Sequence, residues 1–192
     1  MSWFYCLSRF VCRLLLVLWR GFTVEGKENI PKEGGLLVVA NHRSNWDPVA
    51  VGCALTREVH FLAKEELFQI PLVKYLITAL RAFPIKRGGA DRRAIRFCLD
   101  LLKAGKAVGI FPEGTRSQDG RLGTILPGAG LIALKSGAVI LPVAVLGTEK
   151  KKGRIKVIIG EALDIAGKEL SVEEVSALLS DKLNLYLEKG RD

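Results

Sequence analysis

The chain has 192 residues, with 29 Lys and Arg against 20 Asp and Glu, so its formal net charge is +9 and its isoelectric point lies near 9.6. Hydrophobic residues make up 49%, which excludes a disordered tail, and the 20 glycines follow no collagen-like period. One packed domain with a preference for anionic partners is expected, although charge alone does not choose among nucleic acid, phosphorylated metabolites and an anionic lipid surface.

Residues 1–20 are apolar and aromatic, but Arg9, Arg13 and Arg20 interrupt them. A spanning helix needs roughly 20 largely uncharged residues, so a transmembrane segment is not expected. The continuation Gly21-Phe22-Thr23-Val24-Glu25-Gly26 offers no small-residue cleavage site, which argues against a removable leader. Wound at about 100° per residue, the three arginines fall within about 40° of one another, leaving the rest of the circumference apolar. The expectation is an amphipathic helix lying in the membrane interface with its arginines reaching lipid phosphates; docking on the domain's own core is the alternative.

Beyond it, short apolar runs alternate with helical patterns. Phe22 to Glu25 reads as a strand, residues 30–35 as a turn, and Leu36-Leu37-Val38-Val39-Ala40 as a strand buried on both faces. Strands follow at 59–63 and 82–85, on either side of a helix that starts at Pro71 and runs to Ala79. Residues 91–104 place Ile95, Cys98, Leu99 and Leu102 at helical spacing before Gly105. A strand at 107–111, a short helix at 128–135 closed by Gly137, and strands at 138–146 and 154–159 come next. Ser171 and Glu174 form a capping box opening a last helix that reaches Lys189. The class is α/β, with residues 1–20 as a helical element and residues 21–192 as one domain.

The four cysteines, at 6, 12, 53 and 98, sit in apolar surroundings without a C-x-x-C pair and read as small buried hydrophobes, a pattern that suits a reducing cytosol. With only two histidines and no cysteine cluster, no metal site is expected.

Three polar loops follow apolar strands, where ligands of open α/β sheets collect. In Asn41-His42-Arg43-Ser44-Asn45-Trp46-Asp47-Pro48, His42 and Asp47 would lie about 140° apart on a helix, so they meet only if the chain turns between them. Asp47 before Pro48 has the form of an N-cap ahead of a first-turn proline, which would fix the carboxylate at a helix start while His42 hangs from the strand end. Such a pair suits general-base chemistry near neutral pH; a capping aspartate beside a satisfied histidine is the plain alternative. In Phe111-Pro112-Glu113-Gly114-Thr115-Arg116-Ser117, Gly114 permits close backbone approach and Arg116 offers a two-pronged grip on phosphate. The loop Phe83-Pro84-Ile85-Lys86-Arg87-Gly88-Gly89 again brings cations after a strand. Ser44 lacks the Gly-x-Ser-x-Gly setting of a hydrolase nucleophile.

These loops, with Ile140-Leu141-Pro142-Val143, resemble in order and spacing the four sequence blocks of the glycerolipid acyltransferases, in particular the bacterial 1-acylglycerol-3-phosphate (lysophosphatidate) acyltransferases. The resemblance spans nearly the whole chain and implies a glycerolipid-acyltransferase-like sheet flanked by helices. By that resemblance, His42 is the general base on the free sn-2 hydroxyl of 1-acylglycerol 3-phosphate, Asp47 orients it, and the product is phosphatidate. It also assigns Lys64, Arg87, Glu113, Gly114, Thr115 and Arg116 to substrate binding and has Pro142 shape the site. It implies an acyl-CoA or acyl-carrier-protein donor as a substrate, no cofactor, and a peripheral or monotopic place on the cytoplasmic face of the cell membrane, among anionic lipids. Two departures concern substrate detail: Thr124-Ile125-Leu126-Pro127 stands where many relatives carry a lysine, and Arg81-Ala82 where a glycine is often seen. Transfer to another lysolipid and thioester hydrolysis are the alternative activities. A nucleic-acid role would rest on Lys150-Lys151-Lys152-Gly153-Arg154, which lacks neighbouring aromatics and reads as a solvated turn.

Overall fold

The computed structural model describes residues 2–86, 91–117, 121–150 and 153–191. In chain order the elements are α1 (Trp3–Arg20), β1 (Phe22–Glu25), β2 (Leu36–Ala40), α2 (Asp47–Ala54), β3 (Val59–Lys64), α3 (Pro71–Ala79) and β4 (Phe83–Ile85). They continue with α4 (Arg92–Lys103), β5 (Ala107–Ile110), α5 (Pro127–Ser136), β6 (Val139–Leu146), β7 (Ile155–Ile159) and α6 (Val172–Lys189). The sequence pattern missed two 3₁₀ turns, Lys27–Asn29 and Glu65–Gln69, which are too short to show a period.

The strands form one sheet in the order β1-β7-β6-β2-β5-β3-β4. β6, β2, β5, β3 and β4 run parallel, while β7 and β1 run the opposite way. β2 sits at the centre, and its five residues are all buried because its two faces feed two cores. Leu36, Val38 and Ala40 pack with α2 and with Leu16 of α1; Leu37 and Val39 pack with Cys98 and Leu102 of α4, Ile132 of α5 and Leu179 of α6. An unbroken apolar run is the pattern a parallel strand covered on both faces requires.

Pro142 stands inside β6, where its missing N–H would ordinarily break a ladder. It faces a gap in the β6–β7 pairing: Gly160 N donates to the Pro142 carbonyl, and the next contact is the isolated bridge between Ile140 and Leu163. Arg81 is the one non-glycine among the described residues with φ in the left-handed region, at 64°. The position at which a glycine is often seen is therefore one that glycine fits without strain. The Arg81 side chain pairs with Glu58 at 3.1 Å.

Two expectations need correction. The arginine stripe of α1 faces the protein rather than lipid phosphates. Arg9 and Arg13 donate to the carbonyls of Leu55 and Cys53, at the end of α2, and Arg20 donates to those of Gly147 and Gly153. Cations at a helix C-terminus satisfy its orphan carbonyls and its dipole. The outer face of α1 is consequently apolar, with Trp3, Phe10, Leu14, Leu15, Leu18 and Trp19 exposed. The cysteines also divide: Cys53 and Cys98 are buried, and burial pushes both thiols up to about 12, whereas Cys6 and Cys12 are only half-buried. No helix among the described residues is long and apolar enough to cross a membrane.

Candidate active site

Because β2, β5 and β6 are parallel neighbours, the loops leaving their carboxyl ends meet at one edge of the sheet. Asn41 fixes the first loop. Its side chain takes the place of a ladder residue, donating to the Val145 carbonyl at 2.9 Å and accepting from the Val145 amide at 2.7 Å. The chain is thus anchored one residue before His42.

The turn between His42 and Asp47 brings the imidazole and carboxylate together, with Nδ1 of His42 at 2.9 Å from Oδ2 of Asp47. Asp47 is not the N-cap that its place before Pro48 suggested. It is the first residue of α2, follows Trp46 at the cap, and turns its carboxylate back on the preceding loop. Oδ2 accepts from the amides of Arg43 at 2.6 Å and Ser44 at 2.7 Å as well as from the imidazole, and Oδ1 accepts from the Thr148 hydroxyl. Asp47 is fully buried, so these donors replace its water. A carboxylate only accepts, so Nδ1 carries a proton, and in the neutral imidazole Nε2 then keeps its lone pair. Among the described residues Nε2 has no hydrogen-bond partner.

The loop after β5 holds the backbone of His42 from both sides. Oε1 of Glu113 accepts from the His42 amide at 2.7 Å, and the Ser117 amide donates to the His42 carbonyl at 2.9 Å. The other oxygen of the buried Glu113 accepts from the Gly123 amide at 2.7 Å. Phe111 stacks on the imidazole, with ring centroids 4.2 Å apart, and Phe61 stacks on Phe111. Gly109 makes that stack possible, since a Cβ there would lie 2.4 Å from the Phe61 ring. The imidazole is therefore fixed at backbone, ring edge and ring face.

Of the residues assigned to substrate binding, the described ones lie on the loop after β5 and at the end of β3. Gly114 adopts φ 69°, so the turn calls for glycine. Thr115 and Arg116 are exposed at the tip of the same loop. Lys64, at the end of β3, pairs with Glu66 at 3.0 Å, and Lys86, after β4, approaches Glu65 at 3.8 Å near the far edge of the sheet. Arg87, Gly88, Gly89, Lys151 and Lys152 lie outside the described residues. The second histidine stands apart from this cluster. His60 Nδ1 meets the Ala107 carbonyl at 3.1 Å, and burial pushes its pKa down, the mark of a neutral structural imidazole.

Sequence reasoning missed Asn41, Phe111 and Thr148 as parts of the site. Signals existed for the first two, an amide directly before the histidine and a glycine within an otherwise bulky strand; Thr148 had none beyond its place after β6.

The chain matches the acyltransferase family model over residues 21–146. It is 34% identical to a 1-acyl-sn-glycerol-3-phosphate acyltransferase of Bacillus subtilis over 179 residues, covering 90% of this chain and 89% of that one. A chloroplast enzyme of the same name from Arabidopsis thaliana is 31% identical over 84% of this chain, which spans about half (49%) of that longer protein. The crystal structure of the 1-acyl-sn-glycerophosphate acyltransferase PlsC from Thermotoga maritima superposes with a TM-score of 0.85 at 31% identity, covering 97% of this chain and 79% of that one. Sequence blocks, sheet and relatives agree, and the chain belongs to the 1-acyl-sn-glycerol-3-phosphate acyltransferase branch of the acyltransferase family.

Proposed function

We propose that this protein transfers an acyl chain from an acyl thioester, acyl-CoA or acyl-carrier protein, to the sn-2 hydroxyl of 1-acylglycerol 3-phosphate, giving phosphatidate. The observation that carries this reading is the His42–Asp47 contact of 2.9 Å, with Nε2 left unpartnered. Nε2 takes the hydroxyl proton as the oxygen attacks the thioester carbonyl, and Asp47 stabilises the imidazolium. Collapse of the tetrahedral intermediate breaks the C–S bond. The thiolate leaves with the proton returned by the imidazolium, so the products are phosphatidate and free thiol and no enzyme-bound acyl group is needed.

Arg116 suits the phosphate because it is an exposed guanidinium on the loop that also holds His42 through Glu113 and Ser117. A two-pronged contact there would hold the hydroxyl at a fixed reach from Nε2. Arg116→Ala is expected to raise KM for the lysolipid about tenfold, the loss of one charge-assisted contact. An unchanged KM would remove it from the phosphate site.

Both the substrate and the product are amphiphiles, which suits the outward apolar face of α1. Trp19 at its end packs on Trp46, the residue before Asp47, with ring centroids 5.6 Å apart. A membrane covering α1 would therefore lie beside the site. Each Leu or Phe moved out of water contributes about 1.5–3 kcal/mol, so Leu15→Ser with Leu18→Ser is expected to weaken partition onto anionic vesicles at least a hundredfold. Vesicle sedimentation reads this directly; unchanged partition would exclude α1 as the membrane contact.

The reaction is tested by incubating the protein in mixed micelles with lysophosphatidate and either labelled acyl-CoA or acyl-carrier protein. Equal yields of phosphatidate and thiol support transfer. Thiol without phosphatidate would make the protein a thioester hydrolase, and product from another lysolipid alone would change the acceptor.

A further inference from the structure

The His42–Asp47 pair is held by a third side chain from a strand end distant in sequence. Thr148, which is buried, donates its hydroxyl to Oδ1 of Asp47 across 101 residues of sequence separation. The two carboxylate oxygens have unequal company. Oδ2 takes three donors, the imidazole and the amides of Arg43 and Ser44, while Oδ1 has the Thr148 hydroxyl. We infer that Thr148 is a positioning residue for the reaction: its hydroxyl fixes the rotation of the Asp47 carboxylate, and through it the imidazole, for proton abstraction at Nε2. The inference rests on the acyl-transfer reading for its chemistry and on the hydrogen-bond geometry for its mechanics.

Three features support a built position rather than an incidental contact. Gly147 adopts φ 82°, and a Cβ there would lie 2.2 Å from the Arg154 carbonyl, so the backbone before Thr148 turns in a way that only glycine accommodates. The Gly147 carbonyl is held by Nη2 of Arg20 at 2.8 Å, and Nε of the same guanidinium holds the Gly153 carbonyl at 2.9 Å. Glu149, on the other side of Thr148, lies 3.6 Å from Arg43 of the His42 loop. The hydroxyl is thus fixed from before and after. A charge buried without water keeps its orientation only where donors fix it, and removing one donor to a buried charged acceptor leaves the partner partly unsatisfied. Asp47 without Thr148 would keep three donors crowded on one oxygen and, among the described residues, none on the other.

Thr148→Val keeps shape and removes the hydroxyl; Thr148→Ser keeps the hydroxyl and removes a methyl group. Thr148→Val is expected to lower kcat roughly ten- to a hundredfold, the loss of one hydrogen bond to a charged group, with KM for lysophosphatidate within about twofold. Thr148→Ser is expected to restore kcat to within about threefold of the original protein, since the donor returns. Nuclear magnetic resonance of ¹⁵N-histidine-labelled protein supplies a reading independent of turnover. A low-field Nδ1–H signal of His42 is expected in the original protein and Thr148→Ser, and a shifted or broadened one in Thr148→Val. An unchanged kcat and Nδ1–H signal in Thr148→Val would overturn the inference. So would a Thr148→Ser protein as slow as Thr148→Val at equal thermal stability. If the original protein makes no phosphatidate from either donor, the acyl-transfer reading falls while the resonance comparison still decides whether Thr148 orders the pair.

Discussion

His42→Ala is expected to lower acyl transfer by about 10²–10⁴-fold, the span that a positioned general base contributes. The fold should survive. The contacts that fix this point of the loop, Glu113 to the His42 amide and Ser117 to its carbonyl, use backbone atoms that alanine retains. What alanine loses is the stacked ring over Phe111 and the partner of Asp47 Oδ2, whose oxygen keeps the amides of Arg43 and Ser44. Circular dichroism and thermal melting beside the assay separate the two effects. A large fall in melting temperature with the fall in rate would make His42 a structural histidine.

The second expectation separates charge from geometry at Asp47. Asp47→Asn keeps the shape and can present its carbonyl oxygen to the donors at Oδ2 while its amide meets the Thr148 oxygen, so a near-native melting temperature is expected. The rate should nevertheless fall by about 10²–10⁴-fold, because a neutral amide does not stabilise the imidazolium that forms as the hydroxyl proton is taken. Asp47→Ala differs. It leaves the part-buried amides of Arg43 and Ser44 and the buried hydroxyl of Thr148 without their acceptor, a cost of about 3 kcal/mol, which corresponds to a fall in melting temperature of roughly 6–12 °C in a chain of this size. If Asp47→Asn retained full turnover, the carboxylate would be a structural cap of the loop and no part of the chemistry.

Contacts made within one stretch of chain were legible in the sequence, and contacts supplied by distant strands were not. The His42–Asp47 spacing was legible because both residues lie on one loop, and the capping box at Ser171 and Glu174 because all its partners lie within four residues. Central β2 was legible because burial on both faces leaves an apolar run. The contact of Thr148 with Asp47 was not, since Thr148 arrives from the end of β6, and that requires the strand order. Likewise, the periodicity of α1 correctly gathered its three arginines on one face but carried no information on what lay opposite. The carbonyls at the end of α2 took Arg9 and Arg13, and those of Gly147 and Gly153 took Arg20, which turned the apolar face outward. Glu113 shows the same limit. Its family block assigns it to substrate binding, while its two oxygens accept from the amides of His42 and Gly123, contacts that no local pattern encodes.

The proposed reaction turns on Nε2 of His42, held by Asp47, taking the proton from a lysophosphatidate hydroxyl. The most direct measurement is the formation of labelled phosphatidate from lysophosphatidate and acyl thioester by the folded protein and by His42→Ala, side by side in mixed micelles. Product is expected from the original protein and at least a hundredfold less from the variant at matched folding. Equal product from both would contradict it.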